Sequence, residues 1–278
     1  MLSLAHVINP VDVPPTSDLA LAQPVTFESL HAAHRCAGDV AKIQLYAAFY
    51  PEDERIVPAW CKKLRPLDRS VLDIKHFNVP RKLPLIGDIL ERLVEATDAD
   101  YLIYTNVDIA LMPFFYRTIT RLVANDMDAF TVTRRTISTR YTNPADLPLM
   151  YADLGEQHPG NDCFVFRRES CRQFDVGNAC VGVRFFARVL MVNMIVHSKN
   201  FEIFRDFHLT FHLGDDRSWE SDRFADYEEH QQHELRSVLR RYEESGKLKA
   251  HPYIRRWIGR TTRKPSKNRF SWLRRGKR

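Results

Sequence analysis

Asp100-Tyr101-Leu102-Ile103-Tyr104-Thr105-Asn106-Val107-Asp108-Ile109 is the stretch that decides how this chain is read. An apolar strand runs straight into a polar Asn-x-Asp, and the chain then turns apolar again toward a helix. A carboxylate placed where a buried strand ends is held rigidly yet faces a crevice, which is where open α/β sheets take up their ligands.

The flanking sequence supports that placement. On the amino-terminal side, Leu85, Ile86, Ile89, Leu90, Leu93 and Val94 recur at helical spacing, with Asp88, Glu91, Arg92 and Glu95 between them. On the carboxyl-terminal side, Pro113 fits the first turn of a helix running to about residue 124, and 128–133 reads as the next strand. Further back, Leu4-Ala5-His6-Val7-Ile8 is a short apolar run ended by Asn9-Pro10, an opening strand with a polar lip. A helix is expected over 27–36, capped by Thr26, and a strand over 42–49. The charged 51–66 reads as irregular with a short helix around Trp60, and 71–77 as a further strand. Strand and helix alternate regularly to this point, which argues for a mostly parallel, twisted sheet with helices on both faces.

The pattern then breaks. Residues 134–160 carry several Arg, Pro and Asp with little periodicity, and a loop of that length in a compact domain suggests a substrate-side element. Regular structure returns with Cys163-Phe164-Val165-Phe166, a long apolar helix over 181–197, a strand over 201–211 and a charged helix over 224–244.

Composition bounds the function. The chain has 278 residues, 44% hydrophobic, enough for one core of fair size, and no apolar run approaches the length of a membrane span. With no signal-peptide pattern at Met1-Leu2-Ser3-Leu4, a cytoplasmic protein is expected. The five cysteines form no CxxC pair, which disfavours a disulfide framework or zinc knuckle. The net charge of +6 is unevenly spread: residues 251–278 hold 11 Lys and Arg and no acid, leaving a body of 30 basic and 35 acidic residues. The expected division is therefore a domain over 1–250 and a basic tail over 251–278. Trp257, Phe270 and Trp272 lie among the tail's basic residues, so an anionic membrane surface, at the inner face of the membrane, is one partner. Nucleic acid is the less favoured polyanion, and a solvated terminus is the plain alternative.

Three groups of residues could carry chemistry. In Asn106-Val107-Asp108 both polar side chains can point into the cleft, the carboxylate binding Mg²⁺ or Mn²⁺ and the amide holding a neighbouring hydroxyl. An Asn-x-Asp can equally cap the helix that follows. In His158-Pro159-Gly160-Asn161-Asp162-Cys163, Gly160 frees the backbone beside a strand, so that Asp162 can sit at the cleft wall, or it can be a turn residue. Arg81 and Lys82, before the helix that leads to Asn106, could meet phosphate oxygens or simply be exposed, and Arg134 and Arg135 share the ambiguity. Gly-rich phosphate loops and a Gly-x-Ser-x-Gly elbow are absent, which disfavours P-loop nucleotidases, Rossmann dehydrogenases and serine hydrolases.

From Arg81 to Phe115 the chain resembles the nucleotide-diphospho-sugar glycosyltransferases of the GT-A fold, with Asn106-Val107-Asp108 in the place of the family's Asp-x-Asp motif. The resemblance extends more loosely from Leu4 to about Trp219. It implies a GT-A-like α/β fold and transfer of a sugar from a nucleotide-diphosphate donor to a hydroxyl of a glycan or lipid-linked acceptor, as in surface-polysaccharide synthesis. Carried over, Asp108 is the metal ligand and Asn106 the ribose contact, with Asn replacing the first acid. His212, in Phe211-His212-Leu213-Gly214-Asp215-Asp216, resembles the histidine that completes such metal sites, and His208 is the fallback. Asp162 stands where a family carboxylate orients or deprotonates the acceptor, and Asn9 where the first strand meets the nucleotide base. Two rivals remain: a nucleotidyltransferase, which would want Gly and basic residues in 9–17 where there are none, and a non-catalytic binding protein on a degenerate scaffold.

Overall fold

The computed structural model describes residues 1–214, 222–248 and 250–261. The strand quoted above, β4 (Tyr101–Thr105), is buried at all five positions because it has strands on both sides and helices on both faces. On one side it pairs in parallel with β1 (Ser3–Ile8), which pairs in parallel with β2 (Lys42–Ala47), beyond which lies the two-residue β3 (Lys62–Lys63). On the other side β7 (Glu156–Arg167) runs antiparallel and pairs in turn with β6 (Ala129–Ile137). Strands β8 (Phe201–Phe204) and β9 (Thr210–Leu213) lie parallel along successive stretches of β6, and β5 (Ala110–Leu111) closes the order against β9. This is the expected mostly parallel α/β sheet, with β7 and β5 as its antiparallel members.

Alternation along β4 divides the core. Tyr101 and Ile103 face α1 (Leu19–Ala37) and α3 (Phe115–Ala124), where Leu30, Ala33, Phe115 and Ile119 are buried. Leu102 and Tyr104 face the side covered by α2 (Ile86–Ala96), α6 (Phe186–His197) and α7 (Ala225–Glu244). Helix α6 buries nine of its twelve residues, which explains its apolar sequence on every side. A buried histidine braces the first side. His6 Nδ1 lies 2.8 Å from the Tyr116 hydroxyl and Nε2 lies 2.9 Å from Thr105 Oγ1, tying β1, β4 and α3 together. Burial pushes its pKa down to about 3, so it stays neutral.

The structure corrects several boundaries. Helix α1 begins at Leu19 rather than residue 27 and carries Pro24 inside it. Residues 71–73 form a 3₁₀ turn rather than a strand, because Ser70 caps it, its hydroxyl accepting from Leu72 N and its own N–H donating to Asp73. The short helix expected around Trp60 lies instead at Pro51–Ile56. The apparent loop 134–160 is mostly regular, holding the end of β6, α4 (Leu147–Ala152) and the start of β7. The strand expected over 201–211 is two strands, β8 and β9, which places His208 in the connection between them and off the face it would share with His212. Finally α8 (Pro252–Thr261) lies within the expected tail, with Ile254 and Trp257 buried in the same core as α6 and α7. Residues 262–278, with Phe270 and Trp272, and Asp215 and Asp216 lie outside the described residues.

Candidate active site

The parallel strands β1, β2 and β4 all point their carboxyl ends at one edge of the sheet, the edge at which open α/β sheets take up ligands. Asn106 and Asp108 leave β4 at that edge. The chain then forms β5, and β9 pairs antiparallel to β5 with Ala110 opposite Phe211, so His212 returns beside Asp108 from a hundred residues away. His212 Nε2 stands 3.3 Å from Asp108 Oδ2, with His212 8% and Asp108 26% exposed at the side chain. Its Nδ1 lies 2.8 Å from the Gly214 carbonyl, to which Nδ1–H donates, leaving Nε2 turned toward the carboxylate. Gly214 has φ +70°, and a Cβ there would lie 2.5 Å from Thr139 Cγ2, so only glycine fits the turn that supplies that carbonyl.

Asp162 reaches the same cleft through an irregularity in the β6–β7 pairing. Val132 opposes Cys163 but Thr133 opposes Asn161, so Asp162 is the extra residue of a bulge; the next shift, between Thr133 and Arg135, likewise takes Arg134 out of the ladder. The two meet: Arg134 Nη1 donates to Asp162 Oδ2 at 2.7 Å, with side chains 12% and 14% exposed. The other carboxylate oxygen, Oδ1, accepts from Asn106 Nδ2 at 3.1 Å, and Asn106 Oδ1 accepts from the Tyr104 hydroxyl at 3.0 Å. A Cβ at Gly160 would lie 2.7 Å from His158 Nδ1 and 3.2 Å from Asp162 Oδ2, so a side chain there would have to displace the His158 ring.

Electrostatics follow from this packing. Burial pushes the Asp108 carboxyl up, but the His212 hydrogen bond, the His212 charge and the Arg134 charge outweigh it and hold the group below the ordinary Asp value. For His212, burial pulls the imidazole down and the Asp108 contact outweighs it, so its pKa is raised. Three buried polar atoms around the cleft have no hydrogen-bond partner among the described residues: Asp108 Oδ1, Arg134 Nε and Thr136 Oγ1. Thr136 is the register partner of His212. Buried polar atoms are ordinarily satisfied, so these open positions at the strand ends are ones that water or a ligand could fill.

A divalent cation fits the Asp108–His212 pair. Carboxylate oxygen with neutral imidazole nitrogen suits Mn²⁺, Asp108 Oδ1 is buried with no hydrogen-bond partner among the described residues, and the Nδ1–H···O=C bond is the usual outer support of a metal-binding histidine. Among the described residues no three His, Cys, Asp or Glu side chains gather to hold an ion, so such a site would be completed by ligand oxygens, as is common where diphosphates are bound.

The structure thus brings together five of the residues singled out by sequence, namely Asn106, Asp108, Asp162, His212 and Arg134, and adds Tyr104 and Thr136. It leaves four aside. Asn9 lies at the same sheet edge but its amide donates to the Ala48 carbonyl at 2.8 Å. The Arg81 guanidinium stacks on Phe224, 4.8 Å from the ring centroid. Lys82 pairs with Glu52 and lies 4.0 Å from the Tyr50 ring centroid, while Arg135 is tied to the carbonyls of Leu154 and Gly155. Nearby, Asp53 is 4% exposed and accepts from the Asp12 backbone N–H at 2.7 Å, a buried carboxylate that nothing in the sequence distinguished. Cys163, beside Asp162, is fully buried and its thiol is pushed up by that burial, which removes it as a nucleophile.

No family model and no curated protein matches the sequence. Among solved structures, the chain is similar to S. aureus TarS 1-349 in complex with UDP-GlcNAc, at 9% identity and TM-score 0.47 over 93% of this chain and 79% of that one. It is similar to glucosyl-3-phosphoglycerate synthase from Mycobacterium tuberculosis in complex with Mn²⁺, UDP-glucose and phosphoglyceric acid, at 13% identity and TM-score 0.48 over 85% and 79% of the two chains. A third is mannosyl-3-phosphoglycerate synthase from Rubrobacter xylanophilus, at 12% identity and TM-score 0.48 over 91% and 78%. At such identities and scores the likeness carries no weight for activity, which rests on the residues of this chain.

Proposed function

We propose that this chain is a glycosyltransferase that moves a sugar from a nucleoside-diphosphate donor to a hydroxyl acceptor in the crevice lined by Asp108, His212, Asp162 and Arg134. The observation that carries the reading is the convergence of Asp108 and His212, from distant parts of the chain, around a buried carboxylate oxygen with no partner among the described residues. A divalent cation held by Asp108 and His212 would stabilise charge on the departing diphosphate. Asp162 holds the acceptor hydroxyl and takes its proton as the hydroxyl oxygen bonds to the anomeric carbon and the bond from that carbon to the phosphate oxygen breaks, its electron pair leaving on the diphosphate. A carboxylate accepts about four hydrogen bonds, so the contacts to Arg134 and Asn106 leave Asp162 room for that hydroxyl. Arg134, buried beside both carboxylates, supplies fixed positive charge in a body that is otherwise mildly acidic.

The acceptor belongs to a surface glycan or its lipid-linked precursor, and the basic residues beyond Thr261 would hold the protein at an anionic cytoplasmic membrane face. No helix among the described residues is long and apolar enough to cross a membrane. Calorimetric titration with UDP, GDP and their common sugar conjugates, each with and without Mn²⁺, tests the reading. Metal-dependent binding of one nucleotide that is lost in Asp108→Ala supports it, and no binding to any of them overturns it.

A further inference from the structure

We infer that Asn106 is a positioning residue for Asp162 rather than a contact to the donor. Both its backbone and its side chain are directed at Asp162: its N–H donates to the Asp162 carbonyl at 3.3 Å, and Nδ2 donates to Oδ1 at 3.1 Å. The amide has one workable orientation. Its NH₂ must face the carboxylate, since the flipped form would set the amide oxygen against a carboxylate oxygen, and its own Oδ1 is then placed to accept from Tyr104, which is fully buried. The chain Tyr104–Asn106–Asp162–Arg134 therefore fixes both oxygens of a carboxylate that sits on a bulge, where the strand ladder does not fix it.

This explains why the residue is Asn. An Asp at 106 would have no N–H to donate and would set a carboxylate oxygen against Asp162 Oδ1 at about 3 Å. The residue that looks like a weakened metal ligand is thus a neutral donor, and what it supplies is the aim of Asp162. A carboxylate so held meets an acceptor hydroxyl in one geometry, and misplacement of a reacting group by about 1 Å can cost on the order of 100-fold in rate.

The catalytic part of this inference rests on the glycosyltransferase reading, and the test separates the two. Thermal unfolding is measured without ligand for Asn106→Asp, Asp162→Asn and the double variant. Asn106→Asp should lower the midpoint by several degrees in the wild-type background and by less than half as much beside Asp162→Asn, where an amide faces the new carboxylate. Equal losses in both backgrounds would overturn the contact.

Asn106→Ala is then titrated with UDP and GDP in Mn²⁺ and assayed for transfer with the sugar conjugate of whichever nucleotide binds. The expected result is a diphosphate Kd within about threefold of wild type and a kcat lower by roughly tenfold or more, within the range that positioned proton transfer supplies. A Kd weakened about tenfold with kcat preserved would make Asn106 a donor contact and overturn the assignment. If the wild-type protein binds neither nucleotide, the functional reading falls while the unfolding cycle still decides whether Asn106 holds Asp162.

Discussion

Binding of Mn²⁺ should expel a proton from His212, and the pH at which it does so follows from the structure. Nε2 faces Asp108 Oδ2 at 3.3 Å and cannot hold a proton and a metal together. Because the Asp108 contact raises the imidazole above its ordinary value of 6.5, more than half of His212 is protonated at that pH, and each ion bound there should release more than half a proton. Below the folded pKa, each pH unit should cost about tenfold in affinity, equal to about 1.4 kcal/mol, and well above it the dependence should vanish. The metal-free protein should show the complementary behaviour. A raised His212 pKa gives stability that is fully present below pH 6.5 and is lost as pH rises through the folded value. The lowered Asp108 pKa gives stability present above its ordinary 3.8 and lost as pH falls through the folded value, so the pair stabilises most between those limits. Isothermal calorimetry in two buffers of equal pH and different ionisation enthalpy counts the proton directly and needs no knowledge of the donor. His212→Gln should bind more weakly and without pH dependence. A wild-type affinity that is flat across pH from about 6 to 8, with no proton released, would remove His212 from the metal site.

Three further outcomes are expected. Arg134→Met should leave the Asp162 carboxylate largely buried and unpaired, costing about 2 to 3 kcal/mol because both partners keep a little solvent contact, and pairing it with Asp162→Asn should recover most of the loss in a denaturant titration. Asp108→Ala should abolish turnover while leaving the circular dichroism spectrum unchanged; a metal-dependent, active variant would place the site elsewhere. A chain ending at residue 250 lacks Ile254 and Trp257 and should lose about 3 to 5 kcal/mol as the core they cover is opened to water, whereas one ending at Thr261 should unfold as the full chain does yet bind anionic liposomes less well. Equal liposome binding by the full and the shortened chain would refute the membrane role.

What was legible in the sequence was what local periodicity and strand-end position can carry. The alternation through residue 133, the buried β4 and the amphipathic α2 each satisfy their own burial within a single window, so their patterns survive in the sequence. Residues 71–73 failed because a short capped turn with Val71 buried reads like the start of a strand, and 134–160 failed because strands partly exposed at a sheet end lose the apolar signal. Asp108 could be found from its place after β4, and His212 only through resemblance, since the β5–β9 pairing that joins them is non-local. Arg134 was noticed but could not be assigned, because its meaning depends on Asp162 standing out of the β6–β7 ladder, and a bulge leaves no mark in one strand read alone. Asn106 shows the limit most plainly. Read along the chain it is a deviation from an acidic motif, and so a sign of weaker metal binding. Read across the sheet it is the donor that a neighbouring carboxylate requires, so the same substitution that counts against one charge in the site is what allows another to be kept there.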